Sequence, residues 1–210
     1  MRTNIEWVVF DLGGVVVRLN LDGALRDLAR QSETDTETIA GFLRQPDSDG
    51  LSMEDKLQLG HISFADYARQ LNQVLRRPLE MESLAELRLR VIQGEDEDTL
   101  RIISALTETV RVACFSNTHQ LHWDHMAAHY QSFGLFHKTV ASHLIRAAKP
   151  DRQAFDLAAA QIGADPARSL FIDDAPANVE AARGYGWNAL HFRDAAELRR
   201  QLIEKYGLAV

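Results

Sequence analysis

The chain has 210 residues, 46% of them hydrophobic and 25% charged, a balance that fits one sizeable globular core or a core carrying a smaller inserted domain. A formal net charge of −7 works against a nucleic-acid backbone as partner, and no apolar run is long enough to span a bilayer. With neither a basic leader nor a small-residue cleavage site, the expectation is a soluble, cytoplasmic protein with no membrane partner, for which a phosphate-bearing small molecule stays open as a ligand if positive groups are local.

The first apolar run, "WVVF", reads as a buried strand ending at Asp11, which is followed by Leu12, Gly13 and Gly14. Two glycines there let the backbone turn tightly and approach a ligand closely. An Asx-turn would explain Asp11 without any chemistry. A dinucleotide site is set aside, because "DLGGVVV" lacks the G-x-G-x-x-G spacing and leads into no helix.

From Asn20 to Gly94 the pattern turns helical, in "LDGALRDLARQ", "MEDKLQL", "FADYARQLNQVL" and "LAELRLRVI", with no convincing strand. Ser63 with Asp66 marks a helix start, while Pro46 and "DSDG" at Asp47 to Gly50 separate earlier helices. Residues 20–94 are therefore read as an inserted helical cap domain, and residues 1–19 with 95–210 as the core domain.

Further on, "VRVACF", "KTVAS", "SLFI" and "NALHF" alternate with helix-like segments, "QLHWDHMAAHYQSF", "RQAFDLAAAQI", "PANVEAARGYG" and "AAELRRQLIEKY". The alternation predicts βαβ units and an α/β fold with a doubly wound, Rossmann-like, mainly parallel sheet. The single cysteine, Cys114, lies in an apolar run and is expected to pack as a small hydrophobe.

Ligands in such sheets bind beyond the carboxyl ends of the strands, so the residues just after each run are the informative ones. After "VRVACF" come Ser116 and Asn117, where free backbone N–H groups and a helix dipole favour an anion, although both residues also cap helices routinely. Lysine occurs at four positions only, and Pro150 restricts one of them, Lys149, to an extended backbone before a helix. After "SLFI" stand Asp173 and Asp174. Two adjacent acids in a crevice stay ionised most easily beside a cation, and Mg²⁺ prefers such oxygen donors.

In order, "FDLGGV", "FSNT", "KP" and "FIDDAPAN" resemble the four motifs of the haloacid dehalogenase-like (HAD) hydrolase superfamily. The resemblance implies a Mg²⁺-dependent phosphatase acting on a small phosphorylated metabolite through an aspartyl-phosphate on Asp11. It implies that Asp11, the Gly13 carbonyl and Asp174 hold the metal, with Asp173 as neighbour or further ligand. Gly13, Gly14, Ser116, Asn117 and Lys149 would bind the phosphoryl group, with Lys149 also catalytic.

Two positions depart from the common pattern of that superfamily. Most of its phosphatases carry a second Asp two residues after the nucleophile, a general acid worth about 10²–10⁴-fold in rate; here that position is Gly13. Asn178 stands where many relatives have another Asp. Both features resemble a branch that includes bacterial glucose 1-phosphate phosphatases, which implies an anomeric or otherwise activated ester such as a sugar phosphate.

Two other readings compete. A 2-haloacid dehalogenase needs neither an acid nor a metal, which suits Gly13 but leaves the Asp173–Asp174 pair without purpose. A catalytically silent binding module suits the missing acid but not the intact Asp11, Ser116, Lys149 and acid pair. Finally, "THQLHWDHMAAHYQ" puts His122, His125 and His129 on one helix face at metal-binding spacing. These are read as surface or packing residues, with His119 or His122 as an alternative source of the missing acid.

Overall fold

The computed structural model describes residues 4–210. Its elements run β1 (Trp7–Phe10), β2 (Val17–Leu19), α1 (Leu21–Gln31), α2 (Thr36–Arg44), α3 (Met53–Gln58), α4 (Phe64–Leu71), α5 (Met81–Leu89), β3 (Ile92–Glu95) and α6 (Glu97–Leu106). There follow β4 (Arg111–Ser116), α7 (Gln120–His129), α8 (Ser132–Leu135), β5 (Lys138–Ala141), α9 (Ser142–Ile145) and α10 (Arg152–Ile162). The chain closes with β6 (Ser169–Asp173), α11 (Pro176–Gly184), β7 (Asn188–His191) and α12 (Ala195–Gln201), whose last turns widen over Leu202–Tyr206.

Five strands form one parallel sheet in the order β5-β4-β1-β6-β7. This is the doubly wound α/β arrangement that the alternating runs predict. β1 lies at the centre because all four of its residues are apolar and both faces of the sheet are covered. Val8 and Phe10 pack with Ile103, Leu106, Leu170 and Leu202 on one face, whereas Trp7 and Val9 pack with Phe115, Phe155 and Phe171 on the other. Cys114 is fully buried in the first of these layers, and burial pushes its thiol up to about 12, so it is an inert packing group.

Helices α1–α5 share a separate apolar cluster, including Leu28, Ile39, Leu57, Tyr67, Leu71 and Leu84. Two of them begin with reciprocal capping boxes, Ser63 with Asp66 and Ser52 with Asp55. The expectation of no strand between residues 20 and 94 is corrected by β3, which pairs antiparallel with β2 across Val17–Glu95 and Leu19–Ile92. The reason is geometric: the chain leaves the core at β2 and returns at β3, and the two crossings satisfy each other's backbone groups. A run such as "IQGE" has too little apolar character to announce this from sequence.

A second seam joins the helices to the sheet. Ser142 Oγ donates to the Gln58 carbonyl at 2.7 Å and accepts from the Thr118 N–H at 2.9 Å. Gly60, at φ 65°, lies so close that a Cβ there would come within 2.6 Å of the His143 carbonyl oxygen. Among the described residues, no helix is long and apolar enough to cross a membrane.

Candidate active site

The carboxyl ends of β1, β4 and β6 converge, and they bring Asp11, Ser116 and Asp173 to one edge of the sheet. Lys149 arrives from the loop before α10 and is buried. Its Nζ donates to Asp11 Oδ1 at 2.8 Å, to Asp173 Oδ2 at 2.7 Å and to the Phe115 carbonyl at 2.8 Å, so all three ammonium protons are used. The rings of Phe115 and Phe171 lie about 5 Å from the same nitrogen and exclude water beside it. Burial alone would lower the Lys149 pKa, but Asp11 and Asp173 outweigh it and hold the amine cationic.

The Asn117 side chain bonds the backbone of Lys149. Its amide donates to the Lys149 carbonyl at 2.8 Å and accepts from the Lys149 N–H at 2.9 Å. This two-point clamp fixes the backbone that aims the lysine. Ser116 is buried at the last position of β4, on the register that sets Cys114 beside Phe10.

The two adjacent acids have separate surroundings. Asp173 is fully buried, and besides Lys149 it accepts from the Ala175 N–H at 2.8 Å and from Asn178 Nδ2 at 3.1 Å on each oxygen. Asn178 thus supplies a donor where an aspartate would add a further negative charge. Asp174 is largely exposed, and its carboxylate lies over Gly14. Burial, then the neighbouring Asp173, raises its pKa. Asp11 is pushed up to about 6, first by burial, against the pull of Lys149 and with added repulsion from Asp173.

Asp11, Asp173 and Asp174 each place a carboxylate oxygen within 4.8 Å of the others, the one such cluster among the described residues. Three carboxylates against a single ammonium leave two negative charges without a counterion, and the donors are all hard oxygens. This set fits Mg²⁺. With both Asp173 oxygens engaged, Asp11 Oδ2 and the Asp174 carboxylate are the groups free to bind an ion. The Gly13 carbonyl accepts no backbone hydrogen bond among the described residues, whereas that of Leu12 accepts from Val15, Val16 and Val17.

Gly14 has φ 78°, and a Cβ there would lie 2.2 Å from Asp174 Oδ2. Gly14→Ala is therefore expected to cost about 1–2 kcal/mol through the left-handed backbone and to displace Asp174. The measurement is a Mg²⁺ titration of catalytic rate, in which the half-saturating concentration should rise at least about tenfold; unchanged Mg²⁺ dependence would show that Asp174 takes no part in holding the ion.

The histidines do not gather into a metal site. His119 and His122 stack at 4.0 Å between ring centroids beneath Arg88, whose Nε donates to His119 Nε2 at 3.3 Å while its carbonyl bonds His122 Nε2 at 2.9 Å. Burial holds His119 well below its usual pKa and His122 down to about 4, so both rings are neutral at pH 7. His125 and His129 stack on each other at the exposed side of α7. Arg88, ion-paired with Glu54, is a residue of this neighbourhood that periodicity in α5 could not single out.

Residues 5–186 match the family model for haloacid dehalogenase-like hydrolases. The chain is 25% identical to a D-ribitol-5-phosphate phosphatase from Bacteroides thetaiotaomicron, over 94% of this chain and 97% of that one. It is 26% identical to a sesquiterpene phosphatase from Aspergillus oryzae, over 99% and 100% of the two. A HAD family enzyme from Bacteroides thetaiotaomicron, solved in complex with magnesium and inorganic phosphate, has the same fold, with a TM-score of 0.80 at 21% identity over 92% of this chain and 98% of that one. The four segments around Asp11, Ser116, Lys149 and Asp173–Asp174 thus meet in one site on a fold shared across nearly the whole chain, and the protein belongs to the haloacid dehalogenase-like hydrolase family.

Proposed function

We propose that the protein is a Mg²⁺-dependent phosphatase that hydrolyses a small phosphomonoester through an aspartyl-phosphate on Asp11. The observation that carries this reading is the buried Lys149 fixed between Asp11 and Asp173, with Asp174 a third carboxylate facing the same space. Two relatives spanning nearly the whole chain, named as phosphatases, support the same reaction class.

Lys149 donates to Asp11 Oδ1 and so orients the carboxylate, one oxygen of which attacks the phosphorus while the other faces the ion. Its attack forms an O–P bond while the ester P–O bond breaks, and the leaving alcohol departs with the bonding electrons and takes up a proton. Water then attacks the same phosphorus, returns Asp11 as a carboxylate and releases inorganic phosphate. The Lys149 charge and the main-chain N–H groups around Ser116 and Asn117 face the transferring oxygens. Asp11, Asp174 and the Gly13 carbonyl would hold Mg²⁺, which when bound neutralises phosphoryl charge. Helices α1–α5, joined to the core by the β2–β3 ribbon, form a cap over this edge of the sheet.

Gly13 offers no acid for the leaving group, so that proton comes from elsewhere or the substrate needs little help. A metal-free dehalogenase would gain nothing from Asp173 and Asp174 beside an anionic substrate. The test is a panel of phosphomonoesters and 2-haloacids assayed with and without Mg²⁺. Phosphate release that disappears on chelation is the expected result; halide release without metal would overturn it.

A further inference from the structure

Helices α1–α5, with His122 of α7, line an open-mouthed cavity of about 250 Å³ that the chemistry above does not use. Its wall is mainly apolar, built by Ala24, Leu28, Leu71, Leu84 and Leu87 among others. Five of its lining residues carry strongly polar groups, Arg44, Glu54, Gln58, Arg88 and His122, and of these Arg88 bonds both Glu54 and His122. Arg88 is already neutralised by Glu54, and its Nε is engaged by His119, three residues beyond Ser116. The Arg88 side of the cavity therefore lies toward the phosphate loop, and the Arg88 charge there is already taken by Glu54; the other cationic liner, Arg44, is an exposed residue at the end of α2.

The other approach runs from Gly13. The side chain of Leu19 occupies the place a side chain at position 13 would take, its Cδ1 2.9 Å from where a Cβ would stand. Leu19 is 42% exposed and Leu21 is 57% exposed, and Leu21 is itself part of the cavity wall. Two exposed leucines thus stand between the Asp11 loop and the cavity wall in the chain, the first of them beside the position where most phosphatases of this family place a carboxylic acid. Exposed apolar side chains beside a mainly apolar cavity wall make a surface for hydrocarbon and offer few partners for the several hydroxyls of a polyol.

We infer that the leaving group of the substrate is an apolar chain, alkyl or prenyl, which passes Leu19 and Leu21 and fills the cavity among α1–α5 while its phosphate sits at Lys149. This deepens the phosphatase reading of the carboxylate site and rests on it. At about 30 Å³ for a water-sized group, the cavity has room for about eight carbons.

The experiment is a series of n-alkyl phosphates from ethyl to dodecyl, assayed with Mg²⁺ below their micellar concentrations, beside ribitol 5-phosphate and glucose phosphates. kcat/KM is expected to climb by up to about fourfold per methylene and to level near eight carbons, with the polyol esters no better than ethyl phosphate. No dependence on chain length, or polyol esters that outrun octyl phosphate, would overturn the inference. Ala24→Leu narrows the cavity and should lower the preferred length by about three carbons; Ala40→Leu, on the facing α2, serves if the first variant fails to melt cooperatively.

Calorimetric binding of ethyl and octyl phosphate to Asp11→Asn, at constant Mg²⁺, reads the cavity without turnover. Tighter octyl binding with a negative heat-capacity change is expected. If that appears while no ester is hydrolysed by the unaltered protein, the phosphatase reading fails and the cavity assignment stands. Turnover without length dependence has the opposite meaning.

Discussion

Asp11→Asn is expected to reduce phosphate release by about 10⁴-fold or more while leaving the protein folded. The amide keeps the shape of the side chain and can still accept from Lys149, but it cannot form the acyl phosphate. Its effect on stability should be neutral or favourable, because one of three crowded carboxylates becomes uncharged while Asp173 still pairs with Lys149. Steady-state kinetics beside a thermal melt separates the two effects. Residual activity within about tenfold of the unaltered protein would remove Asp11 as nucleophile, whereas lost activity with a collapsed melt would show that the residue was needed for folding instead.

Lys149→Met should fail in the other direction, losing both activity and stability. The lysine side chain is 1% exposed, and it is the cation that Asp11 and Asp173 share. Removing it strands two carboxylates in a water-poor crevice, a loss of about 3–5 kcal/mol. For a chain of this size the melting temperature should fall by about 10 °C. Lys149→Arg is not expected to rescue it, since a planar guanidinium cannot direct three donors at Asp11, Asp173 and the Phe115 carbonyl from the same tight pocket. If Lys149→Met melts like the unaltered protein, the two ion pairs carry no net stability and their role is confined to chemistry.

These expectations separate residues that touch phosphate from residues that aim them. Asn117 belongs to the second kind, because its amide is closed on the Lys149 backbone. Asn178 is similar: as an amide it donates to both oxygens of Asp173, leaving the open coordination to Asp174. The departure from aspartate at position 178 is thus a donor gained.

Much of the sheet was legible in the sequence because its strands are buried on both faces. "WVVF" and "SLFI" are continuous apolar runs, and they correspond closely to β1 and β6. Asp11, Ser116, Lys149 and Asp173–Asp174 could be picked out because a parallel sheet gathers the residues at its strand ends, wherever they lie in the chain. The ribbon of β2 and β3 was not legible, since its pairing depends on two distant segments running side by side and on no pattern within either.

Sequence alone also determined that position 13 has no acid, a matter of residue identity that no packing can alter. What only the tertiary structure decided is what stands in its place. Leu19 reaches Gly13 across a turn, and Leu21 carries the apolar surface on into the cavity among α1–α5. Helical periodicity tells which residues of α1, α4 and α5 face inward, but a hole is the volume they fail to fill, and that depends on how all the helices pack at once.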